Sequence, residues 1–146
     1  MNIVDRCYPE RSFGGYTRVD GTVAFYGRIL QMLSPGMTVL NLGCGRGANI
    51  EPSGLKDLTL GGLVDLHGAD VDEDAKVNPF IHQFHLLRTG EQWALESESY
   101  DLAYCDHVVE HVEDAEAFFH EVHRIMKPGG VLAIRTPNKW GYVAIV

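Results

Sequence analysis

The chain has 146 residues, 45% of them hydrophobic and 22% charged, which is enough for one domain with its own core and too few for two. A formal charge of −8 lacks the basic footprint that draws a protein to a phosphate backbone or an anionic membrane, so neither is an expected partner. Three widely spaced cysteines, Cys7, Cys44 and Cys105, fit neither a disulfide framework nor paired zinc ligands. With no membrane-length apolar run and no secretory leader, they predict a reducing cytoplasm.

Residues 1–19 read as an irregular N-terminal arm, because Pro9, Gly14 and Gly15 interrupt it; residues 20–146 form the domain. Asp20 can cap a helix to about Leu33, with Val23, Tyr26, Ile29, Leu30 and Leu33 on one face, and Ser34-Pro35-Gly36 ends it. Thr38 to Leu42 is a buried strand, near-continuously apolar as in a sheet covered on both faces. It stops at Gly43, Gly45 and Gly47. Glycines spaced this way after a buried strand let a ligand lie directly against the main chain, and in open α/β sheets ligands bind at that carboxyl edge. A nucleotide-type site explains three glycines better than a plain turn does.

Beyond the loop, residues 46–60 should be helical by βαβ logic, but Pro52 and Gly54 predict a short or broken helix. Leu63 to Ala69 is a second strand, ending at Asp70. A carboxylate about 20 residues past the glycine loop suits a ribose, since it can accept hydrogen bonds from both vicinal hydroxyls. Asn78-Pro79 opens an irregular stretch, and a third strand falls within Phe80 to Leu87, where His82 and His85 blur the period. Gly90-Glu91 and Trp93 follow, then a polar loop. Tyr100 to Cys105 is a fourth strand, ending at Asp106-His107. Asp114 caps a helix to about Lys127, with Ala115, Phe118, Phe119, Val122, Ile125 and Met126 as its apolar stripe and Arg124 and Lys127 set against its negative end. Pro128-Gly129-Gly130 stops the helix, Val131 to Ile134 is a fifth buried strand, and Trp140 to Val146 starts an element the chain does not finish.

The stretches VLNLGCGRG, GADVD, SYDLAYCDHVVEHVEDAEAFFHEVHRIMKPGGVLAI and RTPNKWGY resemble, in order and spacing, the class I S-adenosylmethionine-dependent methyltransferases of the methyltransferase type 11 kind. The resemblance runs from about Tyr16 onward. It implies a Rossmann-like, doubly wound parallel sheet of order 3-2-1-4-5 for the part present, and S-adenosyl-L-methionine as cofactor. It further implies that Gly43, Cys44 and Gly45 approach the cofactor's methionine part and that Asp70 binds the ribose with Val71 beside the adenine. Glu91 would meet the adenine amine, Cys105 and Asp106 would line the fourth-strand end below the sulfonium, and Tyr16 and Arg18 would close over the cofactor's carboxylate. Asn41 stands where the family usually carries an acid, so an acceptor is kept and a charge lost. Family members continue through two further strands; without them the fifth strand would be an unpaired edge, open to a second copy of a truncated chain.

Methyl transfer needs donor and acceptor held in line, with a base only where the nucleophile carries a proton. His107 and His111 follow the fourth strand and are the candidate catalytic residues; hydrogen-bonded structural histidines are the equal alternative. His107-Val-Val-Glu110-His111 also matches H-x-x-E-H, with Glu121 or His123 as a third zinc ligand. That reading leaves the glycine loop and Asp70 unexplained. Gly43-x-Gly45-x-x-Ala48 satisfies a loose dinucleotide fingerprint, but Pro52 and Gly54 oppose the helix it needs. A cofactor-binding domain without activity is the third alternative. The acceptor, expected to be a small molecule, is not specified by the sequence.

Overall fold

A computed structural model describes residues 22–47 and 64–137, with side chains from Phe25. The arm, Asp20, Pro52, Gly54, Leu63 and Trp140 to Val146 lie outside the described residues. Five strands, β1 (Met37–Leu42), β2 (Val64–Asp70), β3 (Gln83–Leu86), β4 (Tyr100–Asp106) and β5 (Met126–Arg135), form one sheet of order β3-β2-β1-β4-β5. Every pairing is parallel, as expected. Leu42 is level with Ala69 on one side and Cys105 on the other, so three strands present their carboxyl ends at one edge.

The sheet is covered on both faces by helices that the apolar periodicity foretold. Helix α1 (Thr22–Met32) buries Tyr26 and Ile29 against Val39, Val64, Leu66, Leu102 and Tyr104. Helix α2 (Ala115–Ile125) starts where the Asp114 carboxylate accepts from the Ala117 N–H, and buries Phe118, Val122 and Ile125, spaced four and three residues apart, against Leu40, Leu42 and Ala103. No helix among the described residues is long and apolar enough to cross a membrane.

Two boundaries differ from expectation. Helix α2 ends at Ile125 and β5 begins at once at Met126. The Glu98 and Ser99 N–H groups cap the Arg124 and Ile125 carbonyls, and Lys127 donates to both Asp101 oxygens, which draws the chain onto β4. Pro128 to Gly130 therefore lie inside β5, beside a register shift between Tyr100 and Leu102. Arg124 stands in the last turn of α2, as expected, whereas Lys127 lies in β5 and is engaged by Asp101. Phe119 belongs to the solvent face, at 38% exposure. On β5, Val131 and Ile134 are exposed, and the strand has β4 as its only neighbour among the described residues.

The blurred period of β3 also has a physical cause. His67 Nδ1 lies 3.0 Å from the Tyr100 hydroxyl and 3.2 Å from His85 Nε2, while Asp65 meets His67 and His82 at 3.1 and 3.0 Å. This polar cluster spans three strands. Burial, then the neighbouring His67, lowers the His85 pKa. For Asp65, burial alone would raise the pKa, but hydrogen bonds from His82 and His67 hold it below the usual carboxylate range, so its contribution survives into stronger acid. The fold thus keeps His85 neutral to a lower pH than the unfolded chain does, and stability should fall as pH drops below about 6.5, by at most about 1.4 kcal/mol per pH unit. Melting temperatures at pH 7 and pH 5 check this: His85→Gln should show a smaller drop than wild type, and equal drops would refute the assignment.

Candidate active site

The site is built where β1 gives way to the glycine loop. Gly43 has φ +70°, a region side chains avoid, and a Cβ there would collide with the Val108 side chain. The Gly43 and Cys44 N–H groups both donate to the Ala69 carbonyl, at 2.7 and 3.2 Å, folding the loop across the end of β2. Cys44 then tucks beneath it. Its sulfur sits 2.8 Å from where a Gly68 Cβ would stand, so only glycine at 68 admits it. Burial, then the Asp70 charge, pushes the Cys44 thiol up to about 12. Cys44 therefore offers main chain to a ligand, with its thiol buried and neutral.

Asp70 closes the corner. One carboxylate oxygen accepts from the Gly45 N–H and the other from the Asp72 N–H, both at 2.9 Å. Each oxygen keeps capacity for a second donor. The two corners singled out in the sequence are thus joined by a hydrogen bond. A residue that sequence reasoning missed secures them from below: buried Asn78 donates from Nδ2 to the Cys44 and Gly45 carbonyls, at 3.2 Å each, and accepts from the Phe80 N–H at 3.0 Å. The Asn-Pro pair at 78–79 is its signal, read in the sequence as the start of an irregular stretch and not as an anchor.

A cleft of about 960 Å³ opens beside this corner on the α2 side, and Gly43, Asp70, Val71, Glu91 and His111 line it. Val71 is 67% exposed there. Trp93 packs edge-on against Phe118, with centroids 5.5 Å apart. The loop carrying Glu91 and Trp93 is gripped by one ion pair of α2: Glu121 accepts from the Trp93 N–H at 2.8 Å, while Arg124 bonds Glu121 at 2.7 Å and the Trp93 and Leu95 carbonyls at 3.1 and 2.8 Å. The Arg124 hydrogen bonds hold the Glu121 carboxyl below its usual range.

The remaining residues are placed elsewhere. Cys105 is fully buried in the α2-side core, its thiol pushed up to about 11 by burial and then by Glu110 and Asp106. Asp106 turns to the α1 side, where it accepts from Tyr26 Oη at 2.9 Å and from Arg135 Nε and Nη2. His107 has φ +56°, unusual outside glycine. Its Nδ1 lies 3.1 Å from Glu110, whose other oxygen accepts from the Thr136 hydroxyl. Burial alone would raise the Glu110 pKa; these hydrogen bonds and one from its own backbone hold it low. His111, by contrast, faces the cleft. The two candidate histidines are therefore divided: His111 ends the single turn Val109–His111 and His107 precedes it, and this is not the long helix a zinc hydrolase uses. Among the described residues no three His, Cys, Asp or Glu side chains are placed to hold a metal ion. Tyr16 and Arg18 lie outside the described residues, and Asn41 is buried beside Tyr104 on β4.

With this geometry in view, the comparisons with known proteins agree on a class. A family model described as a methyltransferase domain matches residues 19–144. Relatives named ubiquinone biosynthesis O-methyltransferase are 30% identical over 82% of this chain and 49% of the protein from Chelativorans sp., and 33% identical over 73% and 45% in Klebsiella pneumoniae. The chain spans about half the length of these curated relatives. Among solved structures, an S-adenosylmethionine-dependent methyltransferase from Aquifex aeolicus matches with TM-score 0.64 at 22% identity, over 85% of this chain and 70% of that one. A Haemonchus contortus phosphoethanolamine N-methyltransferase in complex with S-adenosyl-L-methionine matches with TM-score 0.64 at 18% identity, over 87% and 31%. The chain belongs to the class I S-adenosylmethionine-dependent methyltransferases.

The Asn78 anchor can be tested directly. Asn78→Ala takes the Nδ2 donor away from the Cys44 and Gly45 carbonyls, so the unfolding free energy should fall by about 1–3 kcal/mol. The exposed Lys76→Ala should stay within about 0.5 kcal/mol of wild type. Urea denaturation of both variants distinguishes the anchor from a bystander.

Proposed function

We propose that this chain holds S-adenosyl-L-methionine across the glycine loop and Asp70 and directs its methyl group to an oxygen of a small-molecule acceptor. The observation that carries the reading is the Gly45 N–H to Asp70 bond, 2.9 Å long, which puts bare main chain and a carboxylate at one corner. The Gly43, Cys44 and Gly45 N–H groups are taken by Ala69 and Asp70, so these three residues offer close approach and not hydrogen-bond donors. Asp70 would take the ribose, Val71 and Glu91 the adenine side of the cleft. When bound, the cofactor supplies an electrophilic methyl on a sulfonium. The O-methyltransferase names of the relatives support an oxygen acceptor.

A hydroxyl acceptor carries a proton, and the His107–Glu110 pair is the arrangement on this edge suited to remove it. Glu110 fixes His107 through Nδ1, leaving Nε2 as the base.

Calorimetric titration with S-adenosylhomocysteine tests the cofactor assignment. Asp70→Ala should lose about 1.5–3 kcal/mol of binding, roughly 10- to 150-fold in Kd, and NAD should bind neither protein. Binding of NAD in place of S-adenosylhomocysteine would overturn the reading. With any hydroxyl acceptor that supports turnover, His107→Gln should lower kcat by about 100-fold or more while leaving S-adenosylhomocysteine affinity unchanged.

A further inference from the structure

The connection from β3 to β4 has no regular structure of its own. Residues 87–99 contain neither helix nor strand, so their N–H and C=O groups must find partners outside any ladder. Connections this long and irregular are uncommon in compact domains, and where they occur they are usually functional. This one supplies a wall of the cleft, where Arg88, Gly90, Glu91 and Trp93 line it together with Asp70.

What holds the wall is a pair of side chains one turn apart on α2. Glu121 Oε2 accepts from the Trp93 N–H at 2.8 Å, and Arg124 Nη2 donates to the Trp93 carbonyl at 3.1 Å. One ion pair thus takes both backbone groups of one residue, as a neighbouring strand would. Arg124 reaches further along the loop, with Nη1 donating to the Leu95 carbonyl at 2.8 Å and to Ser97 Oγ at 3.2 Å. Its remaining N–H groups bond the two Glu121 oxygens, at 3.0 and 2.7 Å. All five guanidinium donors are therefore used. The two side chains are only 17% and 14% exposed, which sets them apart from a surface ion pair of little consequence.

Glu91 depends on that hold. It is exposed at the cleft, two residues before Trp93, on a turn where its N–H meets the Arg88 carbonyl at 3.3 Å and Gly90 has φ +77°. We infer that Glu121 and Arg124 are positioning residues for cofactor selection: by fixing the backbone at Trp93 they aim the Glu91 carboxylate at the exocyclic amine of adenine. The inference rests on the cofactor reading above. Arg124 has no donor to spare for a ligand, so the pair acts through the loop. A carboxylate held there accepts from the adenine amine but opposes the carbonyl that hypoxanthine carries at the same position. Such discrimination needs the carboxylate fixed, since a mobile one turns from the wrong base to water.

The readout is the preference for S-adenosylhomocysteine over S-inosylhomocysteine, measured by calorimetry. Wild type should favour the adenine ligand by about tenfold or more. Arg124→Lys keeps the charge but not the planar fork, and should bring the preference to about threefold or less. Glu91→Gln should do the same, because an amide suits either base, and the double variant should lose no more than one single variant. Glu121→Gln, nearly isosteric, should shift the preference in the same direction, and decides the matter if Arg124→Lys does not fold. Equal weakening of both ligands with the preference intact would overturn the inference, as would an unchanged preference at unchanged affinity. A wild type that binds both compounds alike removes Glu91 from the adenine, and the inference with it. If wild type binds neither compound, it is the cofactor reading itself that fails.

Discussion

The hydrogen bond from the Gly45 N–H to Asp70 is the constraint on which the rest of the site depends. Ladder bonds hold β1 and β2 together along their lengths, but they do not fix what happens beyond the last pair. There the loop is held by three small terms: the Ala69 carbonyl taking two N–H groups, Asp70 taking a third, and Asn78 taking two carbonyls from below. The loop therefore turns over its own strand ends with the N–H groups of Gly43, Cys44 and Gly45 and the carbonyls of Cys44 and Gly45 paired. Asp70 belongs both to the scaffold and to the lining of the cleft, which ties its carboxylate to the position of the main chain beside it.

Burial sorted the chain into legible and illegible parts. The strand that is apolar on both faces, the helices with a one-sided stripe, and the order of the sheet all follow from local pattern, because the hydrophobic effect acts on each element nearly independently. The glycine loop and Asp70 were legible for a different reason: special φ values and a lone carboxylate at a strand end have few other uses. What escaped was whatever depends on a distant partner. The start of β5 is set by Lys127 reaching Asp101 and by loop 98–99 capping α2, and neither contact leaves a local trace. The role of Asn78 arises only once the loop lies above it.

Asp106 shows what strand geometry adds to a sequence motif. Alternation along β4 places Leu102 and Tyr104 on the α1 side and Ala103 and Cys105 on the α2 side. The next residue must face α1 again. A carboxylate there points away from the adenine cleft and needs a partner on its own side. Arg135 provides one, from the end of the neighbouring strand, with Tyr26 completing the shell. Such a pair contributes little net stability against an apolar alternative, yet removing either member leaves a buried charge exposed to its full penalty. Its effect is to fix the ends of β4, β5 and α1 relative to one another.

That fixing reaches the glycine loop through His107. Its left-handed backbone is unfavourable by roughly 1–2 kcal/mol for a non-glycine residue, and two bonds offset it: the His107 N–H to the Arg135 carbonyl and the ring to Glu110. The turn redirects the chain so that Val108 lies over Gly43 and His111 faces the cleft. A side chain at 43 would lift Val108, and an extended residue at 107 would carry Val108 and His111 elsewhere. The strained residue and the missing side chain are thus complementary features of one crossing. Through that crossing, the polar network on the α1 face and the cleft on the α2 face share a single backbone arrangement.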